Sequence, residues 1–205
     1  MEKKTLYKLI PLLAPNWKYN REDRTIIALY GRYGIDSLEI ESEVKEWKKN
    51  LNKKLIDSFS VATFRDSEGG RGNRELILKN DKKNEQLLIW TLKNYGYPSL
   101  QKIGLWSNND EPMSIGTILN HMASYDTYPY FKKELLKYVE SGECTPLDYA
   151  MMVDKFDMIK GRDCTYCTFK NIPVSDSLKV NINRRKIGMP SLNHSKKIHN
   201  DYFKR

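Results

Sequence analysis

From Ser37 to Phe59, apolar side chains recur at spacings of mostly three and four: Leu38, Ile40, Val44, Trp47, Leu51, Leu55, Ile56 and Phe59. That spacing places them on one stripe of an α-helix, and strict alternation is scarce anywhere in the chain. Ser37 reads as the N-cap, with Glu39, Glu41 and Glu43 in the first turns, where the helix dipole favours acids. A shorter helix is expected over Glu22–Tyr33, ending at Gly34.

The same grammar returns downstream with clearer punctuation. Asn80 or Asp81 is expected to cap a helix holding Leu87, Leu88, Trp90 and Leu92, which stops at Tyr95-Gly96 before Pro98. Ser114–Ala123 presents Ile115, Ile118, Leu119 and Met122 on one face. Pro129 opens a helix that runs to Gly142. Thr145-Pro146-Leu147-Asp148 is an N-cap, a first-position proline and an acid placed to close a capping box, and this helix runs to Ile159. Residues 161–178 read as irregular, followed by helices over Leu178–Ile187 and Leu192–Tyr202. The expected fold is mainly α, an orthogonal bundle of six to eight helices. The segment Asp66-Ser67-Glu68-Gly69-Gly70-Arg71-Gly72-Asn73 is the one strong break, and a short hairpin near 59–79 is compatible with it. It lacks the Gly-Lys-Ser/Thr ending of a phosphate loop. It divides an N-terminal helical arm or subdomain, 1–75, from a helical domain, 76–205.

Composition excludes several classes. With 40% hydrophobic and 11% aromatic residues in 205, the chain can bury a core and is not wholesale disordered. No apolar run approaches the length that spans a bilayer, so no membrane role is read. Lys8 and Pro11 interrupt the only candidate signal-peptide core, and three cysteines do not make a disulfide scaffold, so the expectation is a reducing, cytoplasmic location. The net charge is +9, and residues 179–205 carry eight Lys/Arg against one Asp, or +7 of it. That tail could meet an acidic protein, a phosphate group or a nucleic acid.

Cys164-Thr165-Tyr166-Cys167 is a C-x-x-C. It offers half a zinc site with His194, His199 or Cys144, or a redox pair, but two small residues in a tight loop is the favoured reading. No cofactor motif and no complete metal set is read. His121 is the one internal side chain whose ordinary pKa suits proton transfer near neutrality. Arg184 and Arg185 point about 100° apart on a helix, so one can turn inward to a carboxylate, a carbonyl or an anionic ligand. Asp154 and Asp157 share a helix face and read first as a solvated stripe beside Lys155 and Lys160. Tyr125, Tyr128 and Tyr130 cluster in one connection, as aromatics that stack bases or pack helices.

The second half resembles the bacterial family known as domain of unknown function 6624, over about Asn80–Leu192. The resemblance is carried in order by Asn80-Asp81 and Asn84, Tyr95-Gly96-Tyr97-Pro98-Ser99, Ile103-Gly104, Asn120-His121, Asp154-Lys155, the run Gly161–Thr168, Pro173 and Asp176, and Val180-Asn181 with Arg184-Arg185 and Gly188-Met189-Pro190. Cys164 and Phe169 stand where the family carries glutamines, Cys167 where it has glycine, and Lys155 where it has arginine. The resemblance implies a mostly helical domain whose signature polar residues converge; it brings no activity with it.

Two functions fit these readings. The first is an interaction module, binding a protein partner through the basic C-terminal and tyrosine-rich surfaces, with nucleic acid as a further partner of residues 179–205. The second is an enzyme with a small anion pocket. There His121 is the acid/base, Arg184 or Arg185 the anchor, Tyr166, Thr168 and Asp154 line the ligand, and the chemistry is phosphoester hydrolysis or transfer.

Overall fold

The computed structural model describes residues 36–109, 111–113, 115–169 and 172–203, with Arg32 and Gly34 before them. These residues are mainly helical, and the one strand-like pairing among them is the isolated bridge between Trp106 and Pro112. The helices are α1 Ser37–Lys49, α2 Lys53–Ser67, α3 Arg74–Asn94, α4 Leu100–Ile103, α5 Ile115–Met122, α6 Tyr128–Glu140, α7 Pro146–Ile159, α8 Ser177–Lys186 and α9 Leu192–Phe203. The helix expected over Glu22–Tyr33 lies almost wholly outside the described residues.

Three sequence expectations are corrected. The Ser37–Phe59 stripe is two helices, because Asn52 interrupts it: its side-chain Oδ1 accepts the Leu55 N–H at 3.1 Å and so caps α2. The hairpin near 59–79 does not form; α2 continues to Ser67, a 3-10 turn covers Glu68–Arg71, and α3 starts at once. The cap of α3 is Asn73, which accepts from the Leu76 N–H at 3.1 Å, not Asn80 or Asp81. Those two lie a turn or more inside the helix and face inward.

The chain divides into two compact units, Met1–Phe64 with Pro98–Met113, and Arg65–Tyr97 with Ser114–Arg205. The sequence reading put one boundary at residue 75; the chain crosses between units at 64, 97 and 113. In the first unit Leu55, Phe59 and Ala62 are fully buried. A cavity of about 400 Å³ there is bounded by Trp47, Leu51, Ile56, Ile103 and Trp106. Gly104 ends α4 with φ 73 and ψ −168, a backbone region open essentially to glycine alone. A Cβ there would also lie 3.2 Å from Leu51 Cδ1 and 3.5 Å from the Trp47 ring.

In the second unit α5 packs against α7 and α3, and α6 against α7. The α5 stripe of Ile115, Ile118, Leu119 and Met122 is buried, as read from its spacing, and α7, which packs against it, buries Tyr149, Met152 and Val153. Each such large side chain contributes about 1.5–3 kcal/mol on burial. The approach is close: a methyl at Gly116 would collide with the Asp148 carboxylate. Thr145 caps α7 as expected, accepting the Asp148 N–H at 3.1 Å. Tyr128 stacks on Phe156 of α7 at 3.8 Å and so packs helix on helix, while Tyr130 meets its neighbour Phe131 edge-on within α6.

Gly104→Ala is expected to destabilise by about 2 kcal/mol in denaturant unfolding. Gly142→Ala is the control, since Gly142 also has a positive φ of 79 but open space around it. Equal losses in the two variants would show that the packing of Gly104 against Leu51 and Trp47 contributes nothing.

Candidate functional site

A run of polar residues lies on the buried face of α3: Asn80, Asp81, Asn84 and Glu85, giving way to Leu88, Thr91 and Leu92. A helix tolerates this only where each polar group finds a partner. Asn80 Nδ2 donates to the Arg65 carbonyl at 3.1 Å and to Glu68 at 2.9 Å. Arg65 Nη1 donates to Asn84 Oδ1 at 3.1 Å. Glu85 accepts from the Thr127 hydroxyl and pairs with Lys82.

Asp81 is the centre of this run. Arg71 Nη1 and Nη2 donate to its two oxygens, each at 2.9 Å, in a bidentate fork. The Tyr125 hydroxyl donates to Oδ2 at 2.7 Å. Burial by itself would raise the Asp81 carboxyl; the Arg71 fork and the Tyr125 hydroxyl hold it below the usual carboxylate range. Tyr125 is pushed far above its ordinary value by burial and by donating to Asp81, and stays a donor. The Arg71 guanidinium is raised, chiefly by its bonds to Asp81.

Arg71 reaches this position from a left-handed backbone, φ 56, in the turn Glu68–Arg71. For a residue with a Cβ that conformation costs about 1–2 kcal/mol, and such positions persist where the surroundings over-determine them. Its Nη1 also donates to Asp66 Oδ1 at 3.1 Å and to the Asp66 carbonyl at 3.2 Å. The same Asp66 Oδ1 lies 2.8 Å from His121 Nδ1. A carboxylate only accepts, so Nδ1 carries a proton, and in the neutral ring the lone pair is then on Nε2. Nε2 has no hydrogen-bond partner among the described residues. His121 and Arg71 are partly exposed, at 21% and 27% of their side chains, while Asp81 is at 2%. The acids thus lie beneath and the two nitrogen-bearing side chains form the rim. Asp66, Asp81 and His121 each offer one ligand atom, all within 4.8 Å of one another, as a divalent cation would require. The Arg71 guanidinium supplies the positive charge there.

The other sequence-predicted residues assemble elsewhere in the same unit. Asp154, fully buried, accepts from the Tyr166 N–H at 2.7 Å, the Thr168 N–H at 2.7 Å and the Thr168 hydroxyl at 2.8 Å. Asp157, also buried, accepts from the Thr165 N–H at 3.1 Å and the Thr165 hydroxyl at 2.7 Å. The solvated stripe read at Asp154 and Asp157 is therefore corrected: both carboxylates fasten the irregular loop. Arg184 turns inward and donates to the carbonyls of Pro190 at 2.6 Å and Tyr166 at 2.8 Å and to the Ser195 hydroxyl at 2.6 Å. Burial lowers its guanidinium, with Asp154 opposing. Arg185 is exposed. No hydrogen bond among the described residues joins this network to His121, so the structure groups Asp154, Tyr166, Thr168 and Arg184 and sets His121 with Asp66, Asp81, Arg71 and Tyr125 instead.

Cys164 and Cys167 are joined in a disulfide, which corrects the favoured reading of two incidental small residues in a tight loop and the zinc half-site alike. Sulfurs bonded to each other leave no thiolate to ligate. Burial pushes the remaining thiol, Cys144, up to about 12, so it stays protonated.

Comparison with family models, with curated proteins and with solved structures gives no match.

Two outcomes follow from this geometry. Asp81→Asn is expected to cost about 1–3 kcal/mol near neutral pH, because it takes the charge from the Arg71 fork while the partly exposed Arg71 keeps Asp66. The depressed Asp81 carboxyl stabilises the folded state above the ordinary carboxylate range and loses that contribution as pH falls through its folded value. The variant therefore shows a shallower loss of stability below about pH 4. Arg184→Ala should cost about 2–4 kcal/mol, since it strands three acceptors. Both are read by denaturant titration, the first across pH.

Proposed function

We propose that the chain is an acid–base enzyme acting on an anionic ester, with phosphoester hydrolysis or transfer as its reaction class. One observation carries this reading. His121 is fixed at Nδ1 by Asp66, its Nε2 is unengaged among the described residues, and Arg71 bonds the same Asp66 oxygen. Arg71 spends its terminal fork on Asp81, while its Nε–H and one Nη2–H have no hydrogen-bond partner among the described residues. That second fork suits two oxygens of a phosphoryl group.

Each residue then has a role. Arg71 binds and orients the anionic group. His121 Nε2 takes a proton from water or an acceptor hydroxyl as that oxygen attacks phosphorus. Asp66 stabilises the imidazolium that results; the departing oxygen, in line on the far side of phosphorus, leaves as the anion or takes a proton from water, and His121 then gives its proton to solvent. The nucleophile in this reading is water or the acceptor hydroxyl. Asn80, Asp81, Asn84 and His121, which carry part of the family resemblance, lie in or beside this network. The anion anchor moves from Arg184 or Arg185 to Arg71.

A second reading, the interaction module, is favoured by one surface. Leu178 and Ile182, one turn apart on α8, are 77% and 57% exposed beside Lys179, Arg185 and Lys186. An acidic amphipathic segment matches such a face. Its binding would weaken with ionic strength.

Turnover of aryl phosphomonoesters and phosphodiesters tests the first reading. His121→Ala should lower kcat by about 10²–10⁴-fold with helical content unchanged. Asp66→Asn should lower kcat more than it changes KM, and Arg71→Lys should chiefly raise KM. Turnover in His121→Ala equal to wild type would remove His121 from the chemistry.

A further inference from the structure

The Cys164–Cys167 bond closes a loop of four residues between α7 and α8, with sulfurs three positions apart in sequence. It ties no distant elements together. Every residue it encloses is already held by other means. Asp157 takes the Thr165 N–H and hydroxyl, and Asn183 Nδ2 donates to the Thr165 carbonyl at 3.2 Å. Asp154 accepts the Tyr166 N–H, and Arg184 Nη1 donates to the Tyr166 carbonyl. Thr168, just past the second sulfur, is bound twice to Asp154. The loop does not depend on the crosslink to keep its path.

What the crosslink does constrain is Cys167, whose φ of 52 lies in the left-handed region. A side chain there costs about 1–2 kcal/mol that glycine would not. Opening the bond relieves none of the loop's hydrogen bonds and frees the one residue that is conformationally opposed to its place. Cys164, 7% exposed, is one of the residues bounding a polar cavity of about 300 Å³, with Asp163, Ser175, Asp176, Lys179 and Asn183. The cavity gives a small thiol an approach to Cys164, and the Lys179 ammonium answers one of its two carboxylates.

We propose that Cys164–Cys167 is a thiol-exchange site, opened and re-formed by a low-molecular-weight thiol while the fold stays intact. A thiolate attacks Cys164 Sγ from the cavity and forms a mixed disulfide. The Cys164–Cys167 bond breaks, and its electron pair leaves on Cys167 Sγ, which takes a proton from water. A second thiolate attacks the outer sulfur of the mixed disulfide, releasing Cys164 as a thiolate and the small disulfide as product. Two thiols are oxidised and one disulfide is reduced; the small disulfide runs the sequence in reverse. This site stands apart from the His121 reading and does not rest on it.

The test uses the full chain under native conditions, with reduced glutathione as the probe, then alkylation and mass analysis. The expected result is alkylation of both Cys164 and Cys167, with Cys144 protected until unfolding. The helical circular-dichroism signal is kept and the melting temperature falls by roughly 4–8 °C, the loss that a four-residue closure implies. Oxidised glutathione should restore the starting mass. Cys167→Gly keeps the left-handed turn without a crosslink; it should fold with the same helical signal and melt identically with and without glutathione. Labelling that appears only after denaturation would overturn the proposal. So would loss of helical signal on reduction, or a Cys167→Gly chain that does not fold; either would make the bond a structural staple.

Discussion

The bidentate contact between Arg71 and Asp81 holds together the polar cluster on the buried face of α3. A carboxylate at 2% exposure is stable as an anion only if a charge of opposite sign meets it squarely. Once that contact is made, much else is fixed by it. The Glu68–Arg71 turn is tied to α3, Tyr125 has an acceptor, and the second partner of Arg71, Asp66, is placed under His121. The same contact explains why a non-glycine residue is kept at φ 56. The backbone penalty there is small beside the cost of leaving Asp81 unpaired.

Much of the fold was legible from periodicity and punctuation. The stripe on α5, the Thr145-Pro146 start of α7 and the helices α6, α8 and α9 follow from local chemistry, because their apolar faces and caps are written within a turn of where they act. The failures have one cause. At Asn52, Asn73 and Asn80-Asp81, a short polar side chain reads the same whether it caps a helix or is bound from a distance. Asn52 and Asn73 cap; Asn80 and Asp81 are bound by residues up to 15 and 44 positions away. The hairpin read across Gly69 to Gly72 failed for a related reason: glycines permit a turn without saying what flanks it.

The candidate site was half legible. His121 stands out because a single titratable ring on an otherwise apolar helix is rare in this chain. Asp66 and Arg71 were hidden inside a segment that reads as a flexible break, and nothing local ties either to His121, 55 positions from Asp66. One signal was present: an arginine between glycines, where a side chain is disfavoured, demands a reason. The cluster of Asp154, Tyr166, Thr168 and Arg184 shows the converse. Polar residues drawn together from separate segments here serve the backbone of an irregular loop, which has no ladder of its own to satisfy its N–H groups.

The buried face of α3 changes character along its length, from Asn80, Asp81, Asn84 and Glu85 to Leu88, Thr91 and Leu92. This gradient gives the helix a sequence of assembly. The apolar end docks by losing water alone, without waiting for particular partners. The acidic end gains nothing from desolvation until Arg71, Tyr125 and Thr127 are already in place around it. The surface that carries His121 is thus held by particular pairs, where the other end of the helix is held by burial alone.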